Sequence, residues 1–167
     1  RQALKTVHPL ICYSMKACSN LALLCALVKK GAGLDIVSGG ELFRARKAGC
    51  PGSRIVFAGV GKREDEIREA IRYGILLFNV ESRGELDAIE RIASSLRRKQ
   101  DVALRLNPDV GAGGHAYTTT GSDKNKFGIG FDTAKEIFSN ASQWPHLNIC
   151  GIHVHIGSQI LKGEPFV

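Results

Sequence analysis

The sequence predicts an α/β fold, a partial (β/α)8 barrel of the TIM type with about six of its eight β/α units. Two observations lead to this prediction. Short β-rich runs alternate with amphipathic segments along the whole chain. No glycine-rich dinucleotide fingerprint follows the first run, and "GVGKR" lacks both the first glycine and the Ser or Thr of a phosphate-binding P-loop. The open doubly wound sheet, which the same alternation allows, is therefore less favoured.

The elements follow one another in β-α order. The strand candidates are "LICYSM", "GLDIVS", "RIVFAG", "ILLFNV", "VALRLN" and "NICGIHVHI". The helix candidates are "SNLALLCALVKKG", "GELFRARKAG", "REDEIREAIRYG", "SRGELDAIERIASSLRRK" and "DTAKEIFSNASQW". Gly31, Gly49 and Gly74 follow amphipathic runs at the position where a left-handed residue ends a helix. Ser82 predicts a capping box with the glutamate three residues later, and Asp132 predicts the N-cap of the last helix.

Composition and charge limit the kinds of partner. The 167 residues are 44% hydrophobic and 23% charged, which is typical of one globular domain. No apolar run reaches the roughly 18 residues that span a bilayer, and the first residues lack the order of a signal peptide, so we expect a soluble intracellular protein without a membrane partner. The net charge of +7 is spread over helix-like segments and mixed with acids, so no nucleic-acid partner is expected.

The five cysteines are scattered, and none forms a C-x-x-C pair. An odd number without paired spacing argues against a disulfide framework or a zinc knuckle. We therefore expect reduced thiols.

Side-chain alternation assigns a face to each residue of the first strand. In a β/α barrel one face of a strand meets the helices and the other points inward. In "LICYSMK" the apolar face is formed by Ile11, Tyr13 and Met15. The small or polar residues Cys12, Ser14 and Lys16 then share the interior face.

The fifth and sixth strands also send polar groups inward. In "DVALRLN" the apolar Val102, Leu104 and Leu106 leave Arg105 on the interior face. In "GIHVHIGS" the apolar face is expected to be Ile152, Val154 and Ile156, which leaves His153 and His155 inside.

Lys16, Arg105 and His155 come late in their strands, where barrel enzymes gather functional side chains. A lysine amine at such a rim can attack a carbonyl when it is neutral, although a snorkelling or ion-paired lysine is the simpler explanation. Asp35 can form an ion pair with a cation, or its side chain can stabilise a turn or cap a helix. Ser158, in "HIGSQ", fits an anion-binding turn or a plain strand end.

Six stretches together resemble the diaminopimelate decarboxylases, within the pyridoxal-phosphate decarboxylase family that also includes ornithine and arginine decarboxylases. They are "YSMKACSN", "GLDIVSGGEL", "VESRGEL", "LRLNPDV", "HAYTTTGSDKNKFGI" and "GIHVHIGSQ". The chain departs from the family's usual pattern at Ser14, usually Ala, at Cys18, usually Asn, and at Val60 in "GVGK", where "GNGK" is frequent.

The resemblance implies the chemistry. Lys16 would bind pyridoxal 5'-phosphate covalently, His155 would stack on its ring, and Ser158 would hold its phosphate. Asp35 and Arg105 would lie near the cofactor and orient the active-site groups. The reaction would be the decarboxylation of meso-2,6-diaminopimelate to L-lysine, with the amino acid as the small-molecule partner.

The resemblance also implies what lies elsewhere. Residues 1–167 would form an incomplete cofactor-binding barrel domain, without the family's β-rich C-terminal domain, and these residues alone would be inactive. The full-length protein would be a homodimer, cytoplasmic or, in a plant, plastidic. Alternatives are an ornithine or arginine decarboxylase, a non-catalytic regulatory homologue, and a metal-dependent barrel hydrolase that uses His153 and His155 as ligands.

Overall fold

The structure is a computed structural model and describes residues 6–107 and 127–157. Ser158 and most of the stretch between the fifth strand and the last helix lie outside these residues. The chain divides into two compact units, Arg1–Phe78 and Asn79–Val167, and each is described by itself.

The first unit repeats a strand followed by a helix. Its elements are β1 (Cys12–Ser14), α1 (Leu21–Lys29), β2 (Gly33–Ile36), α2 (Gly39–Lys47), β3 (Ile55–Phe57), α3 (Glu64–Tyr73) and the start of β4 (Leu77–Val80). Each strand pairs in parallel with the next along the chain, from β1 with β2 to β3 with β4. Parallel neighbours joined by helices are the arrangement of a β/α barrel wall, as the sequence predicts.

One apolar row crosses the sheet of the first unit. Ile36 pairs in register with Phe57, and Phe57 with Phe78. The two phenylalanine rings stack with their centroids 5.7 Å apart, and all three side chains are fully buried. Leu42 and Ile67 are buried on the helices of the same unit. On the alternate face of β2 and β3, Asp35 and Val56 are only half-buried.

The second unit contains α4 (Arg83–Ser95), β5 (Gln100–Leu106), α5 (Phe131–Ser139) and β6 (Leu147–Val154). β5 and β6 are parallel, with a register shift at Val102. Leu86, Ile89, Leu104 and Ile137 are fully buried and form its core. β5 is buried on both faces, which explains why its apolar run is nearly continuous.

Most predicted helix ends are confirmed. Gly31, Gly49 and Gly74 all have positive φ angles, and the Ser82 hydroxyl accepts a hydrogen bond from the third residue of α4. The prediction for Asp132 is wrong. α5 begins two residues earlier than predicted, at Phe131 after the extended N-cap Gly130, so Asp132 lies inside the first turn, where its negative charge interacts favourably with the positive end of the helix dipole.

Across the two described ranges, no helix is long and apolar enough to cross a membrane.

Candidate active site

Lys16 lies just past the carboxyl end of β1. The strand ends at Ser14, and the backbone N–H of Met15 still donates to the carbonyl oxygen of Asp35 at 2.9 Å, so the chain leaves the sheet at Lys16. Met15 is buried, as its predicted face requires, but Lys16 is exposed instead of partly desolvated. The chain has left the sheet at this position, so pairing of β1 with β2 does not cover the Lys16 side chain.

Asp35 lies on the strand next to β1. Ser14 and Asp35 are register partners, so their side chains share one face of the parallel sheet. This places Asp35 and Lys16 at the same end of neighbouring strands, as the sequence predicts. The Ser14 hydroxyl is buried and has no hydrogen-bond partner within the described ranges, so this face carries an unused polar atom.

Glu41 belongs to the same strand end but was missed in the sequence. Its carboxylate accepts a hydrogen bond of 2.8 Å from the backbone N–H of Val37, and its own N–H donates to the Ser38 hydroxyl. Burial raises the pKa of Glu41; the negative charge of Asp35 raises it further, while the Val37 N–H and the positive charge of Lys16 oppose the rise. The spacing in "SGGE" is a capping-box pattern that could have found this residue.

Arg105 and His153 are register partners on β5 and β6 of the second unit, so the predicted shared face is confirmed for this pair. His155 follows the end of β6 and is half-buried. Arg105 and His155 therefore both lie at the carboxyl end of their strands, where the sequence places them.

Arg105 forms a buried ion pair with Glu81, the first residue after β4. The guanidinium Nη1 donates to Glu81 Oε1 at 2.7 Å, and the two side chains are 10% and 4% exposed. Glu81 was also missed in the sequence. The only signal was an acidic residue at the end of an apolar strand, the position at which β/α barrels place functional groups.

The predicted burial of β6 is wrong. Its residues alternate as expected, but Ile152 and Val154 are 60% and 47% exposed, whereas His153 is half-buried. Periodicity identifies two faces of a strand without saying which one other elements cover. β6 pairs with β5, and no helix after β6 is described to cover the apolar face.

Ser158, the predicted phosphate ligand, lies outside the described residues. In the parts of the chain that are described, no group of three or more His, Cys, Asp or Glu side chains is arranged to hold a metal ion. The predicted residues thus group within each unit, Lys16 with Asp35 in the first and Arg105 with His155 in the second.

Parallel β/α repeats with polar side chains at the carboxyl ends of their strands are typical of the class of β/α-barrel proteins. The comparison with known families is more specific. Residues 1–167 match the family model described as pyridoxal-dependent decarboxylase, pyridoxal binding domain, and the chain belongs to this family. The match confirms the predicted family and the predicted pyridoxal phosphate cofactor.

Individual relatives carry the names expected from the resemblance. The chain is 52% identical over 157 residues to the diaminopimelate decarboxylase of Aquifex aeolicus, covering 94% of this chain and 37% of that protein. The Helicobacter pylori diaminopimelate decarboxylase, solved in complex with L-lysine, superimposes with a TM-score of 0.95 at 47% identity, over 98% of this chain and 42% of the other. The barrel-type fold prediction is therefore confirmed.

The likeness extends to a more distant relative. An arginine decarboxylase of Paramecium bursaria Chlorella virus superimposes with a TM-score of 0.81 at 25% identity, over 99% of this chain and 42% of that one. In all three comparisons the chain spans about two fifths of the relative's length.

The described residues fit the cofactor. Attachment of an aldehyde needs an accessible amine, and Lys16 is exposed. A bound molecule with polar groups needs partners, and in the first unit the buried Ser14 Oγ has no hydrogen bond to any described residue.

Proposed function

We propose that this chain is the cofactor-binding part of a diaminopimelate decarboxylase, which releases CO2 from meso-2,6-diaminopimelate and leaves L-lysine. The observation that carries the proposal is the match to the pyridoxal-binding family over all 167 residues, together with 45–52% identity to several bacterial diaminopimelate decarboxylases. The lysine seen with the Helicobacter pylori enzyme is the product of this reaction.

Each predicted side chain then has a role. Lys16 holds the cofactor through its amine, and Asp35, on the neighbouring strand, orients that amine. His155 contacts the cofactor ring, Arg105 supplies N–H donors beside it, and Ser158 binds its phosphate. When bound, pyridoxal phosphate supplies the electron sink that accepts the electron pair left at Cα as CO2 departs.

The accessibility of Lys16 matters for this role. The Lys16 amine would hold the cofactor through its aldehyde, and this requires that the cofactor can reach the amine. A lysine locked in an ion pair would not meet this requirement, and no ion pair of Lys16 is found with the described residues. Lys16 is thus available for covalent attachment.

The remaining parts of the proposal concern the whole protein. Residues 1–167 are an incomplete barrel domain, and a β-rich domain follows in the full-length protein. The complete enzyme is a cytoplasmic homodimer that binds neither membranes nor nucleic acid. Sedimentation of the full-length protein with and without cofactor tests the dimer, because a monomer under both conditions would contradict it.

The central experiment uses the full-length protein that carries this sequence. CO2 release is measured from meso-diaminopimelate, ornithine and arginine, and the cofactor is followed by its absorbance at the edge of the visible range. We expect release from diaminopimelate alone. Lys16→Ala should lose the absorbance and the activity, while Lys47→Ala, which removes an exposed lysine of α2, should keep both.

The outcomes separate the alternatives. Preference for ornithine or arginine would replace the proposed substrate but keep the class. Bound cofactor without release from any of the three amino acids would indicate a regulatory homologue. A stoichiometric metal ion with no bound pyridoxal phosphate would contradict the proposal entirely.

A further inference from the structure

The ion pair between Glu81 and Arg105 is buried, with side chains that are 4% and 10% exposed, respectively. Removing two charges from water is expensive, and an apolar pair of similar volume is often at least as stable. A pair of this kind at the end of a strand therefore calls for an explanation other than stability.

The contact is made through one oxygen only. Arginine and carboxylate groups favour a fork of two parallel hydrogen bonds. Here Nη1 donates to Oε1, and Glu81 Oε2 is buried without a hydrogen bond to any residue in the described ranges. The guanidinium has five N–H donors, of which this contact uses one.

Two further contacts hold Arg105 in place. The Phe127 ring lies against the guanidinium, with its centroid 5.7 Å from Cζ, a cation–π distance. The backbone N–H of Ile129 donates to the carbonyl oxygen of Arg105 at 2.7 Å, and the N–H of Asn107 donates to Ile129 at 3.1 Å. The segment 127–129 thus ties down both the main chain and the side chain of Arg105.

Gly128 makes this attachment possible. Its φ is +92°, and a Cβ at this position would lie 3.0 Å from the carbonyl oxygen of Arg105. Only glycine combines the left-handed backbone with so close an approach. The main chain at Arg105 is therefore fixed independently of Glu81, whereas the direction of the guanidinium depends on Glu81 and Phe127.

We propose that Glu81 is a positioning residue of the active site, which acts through Arg105. By holding Nη1, it fixes the plane of the guanidinium and leaves the other N–H donors available at the carboxyl end of β5 for a polar group of the cofactor or substrate. The proposal rests on the proposed function, since that function assigns Arg105 to the cofactor. It concerns a residue that the family resemblance did not assign.

The test is a series of variants in the full-length protein. Glu81→Gln keeps an oxygen that can accept from Arg105 but removes the charge, and Glu81→Ala removes both. Glu90→Ala is the matched control, because Glu90 is a partly buried carboxylate of the same unit that binds His146 at the opposite, amino-terminal end of β6. Loss of Glu90 disturbs the fold without touching Arg105.

Two readouts are needed. The first is kcat and KM for diaminopimelate at a temperature where all variants are folded. We expect Glu81→Ala to lower kcat about 100-fold, as a misplaced catalytic group does, with KM within about threefold and Glu81→Gln intermediate. Glu90→Ala should keep the wild-type kcat and lose only thermal stability.

The second readout needs no cofactor. NMR spectra of the apo protein with ¹⁵N-labelled arginine report the rotation of the Arg105 guanidinium. We expect slow rotation in the wild type and in Glu90→Ala, and fast rotation in Glu81→Ala. Unchanged Arg105 signals in Glu81→Ala, or a kcat that falls equally in Glu81→Ala and Glu90→Ala, would overturn the proposal. If the wild type neither binds pyridoxal phosphate nor releases CO2, the proposed function fails, and the Arg105 signals still decide whether Glu81 holds the guanidinium.

Discussion

The Glu66 carboxylate of α3 accepts a hydrogen bond of 2.7 Å from the backbone N–H of Gly39, the first residue of α2. Its second oxygen accepts from the backbone N–H of Arg63 at 3.1 Å, at the start of its own helix. One side chain therefore satisfies unpaired N–H groups at the beginnings of two helices. This link lies directly after β2 and supports the strand end that carries Asp35.

We predict that Glu66→Ala lowers the free energy of unfolding by about 1–3 kcal/mol, because it leaves the partly buried Gly39 N–H and the exposed Arg63 N–H without this acceptor. Urea denaturation measures the loss, and hydrogen exchange should show faster exchange at the Gly39 amide. Glu69→Ala is the control. Its ion pair with Arg46 is about half exposed, so we expect about 0–1 kcal/mol. Equal losses in the two variants would contradict the prediction that the hydrogen bonds of Glu66 stabilise the fold more than the exposed ion pair of Glu69 does.

Two glycines allow a test of backbone conformation without steric interference. A Cβ would meet no atom within 4 Å at either Gly74 or Gly84. Gly74 ends α3 in the left-handed region with φ 73°, whereas Gly84 lies in the first turn of α4. We expect Gly74→Ala to destabilise the protein by about 1 kcal/mol and Gly84→Ala to stabilise it by about 0.5–1 kcal/mol. Thermal unfolding of the two variants measures the difference, and a shift in the same direction would contradict the interpretation.

The alternation of strands and helices could be predicted because hydrophobic period is a local property. Lys16, Asp35 and Arg105 could be placed at strand ends for the same reason, since each follows or ends an apolar run. Contacts between side chains that are distant in the sequence could not be predicted from hydrophobic period. Glu81 and Arg105 are 24 residues apart, and no local pattern says that their side chains meet.

The burial of the β6 faces shows the same limit. Two-residue alternation in "GIHVHI" correctly places Ile152 and His153 on opposite faces, but which face is covered depends on the elements that pack there.

The predicted start of α5 was wrong for a different reason. Asp132 is a good N-cap residue, and the extended backbone of Gly130 outweighed that local preference.

Cys12 should be a poorly reactive thiol. Burial raises its pKa to about 11, and the negative charges of Asp35 and Cys50 add to the rise. At pH 8 roughly one Cys12 in a thousand is then the reactive thiolate. We predict that iodoacetamide modifies the exposed Cys18 well before Cys12, as measured by peptide mass spectrometry. Asp35→Asn should speed the modification of Cys12, because it removes the second cause of the raised pKa, and an unchanged rate would contradict the assigned charge effect.

Glu41 should make stability depend on pH. Because burial and Asp35 raise its pKa in the folded protein, the folded state keeps the proton to a higher pH than the unfolded state does. The folded state therefore binds more protons between the ordinary carboxyl pKa of 4.5 and the raised value, and stability falls as pH rises through this window. Below the window Glu41 is neutral in both states, and this loss is absent.

Glu41→Gln removes the titration but keeps an oxygen that can accept from the Val37 N–H. We predict that the melting temperature of Glu41→Gln relative to the wild type increases as the pH is raised from about 4 to about 7, since the variant escapes the loss that the wild type suffers. Glu69→Gln, a partly exposed carboxylate of α3, serves as the control. A difference that stays constant with pH would mean that Glu41 titrates alike in both states, which would contradict the rise in its pKa from burial and from the negative charge of Asp35.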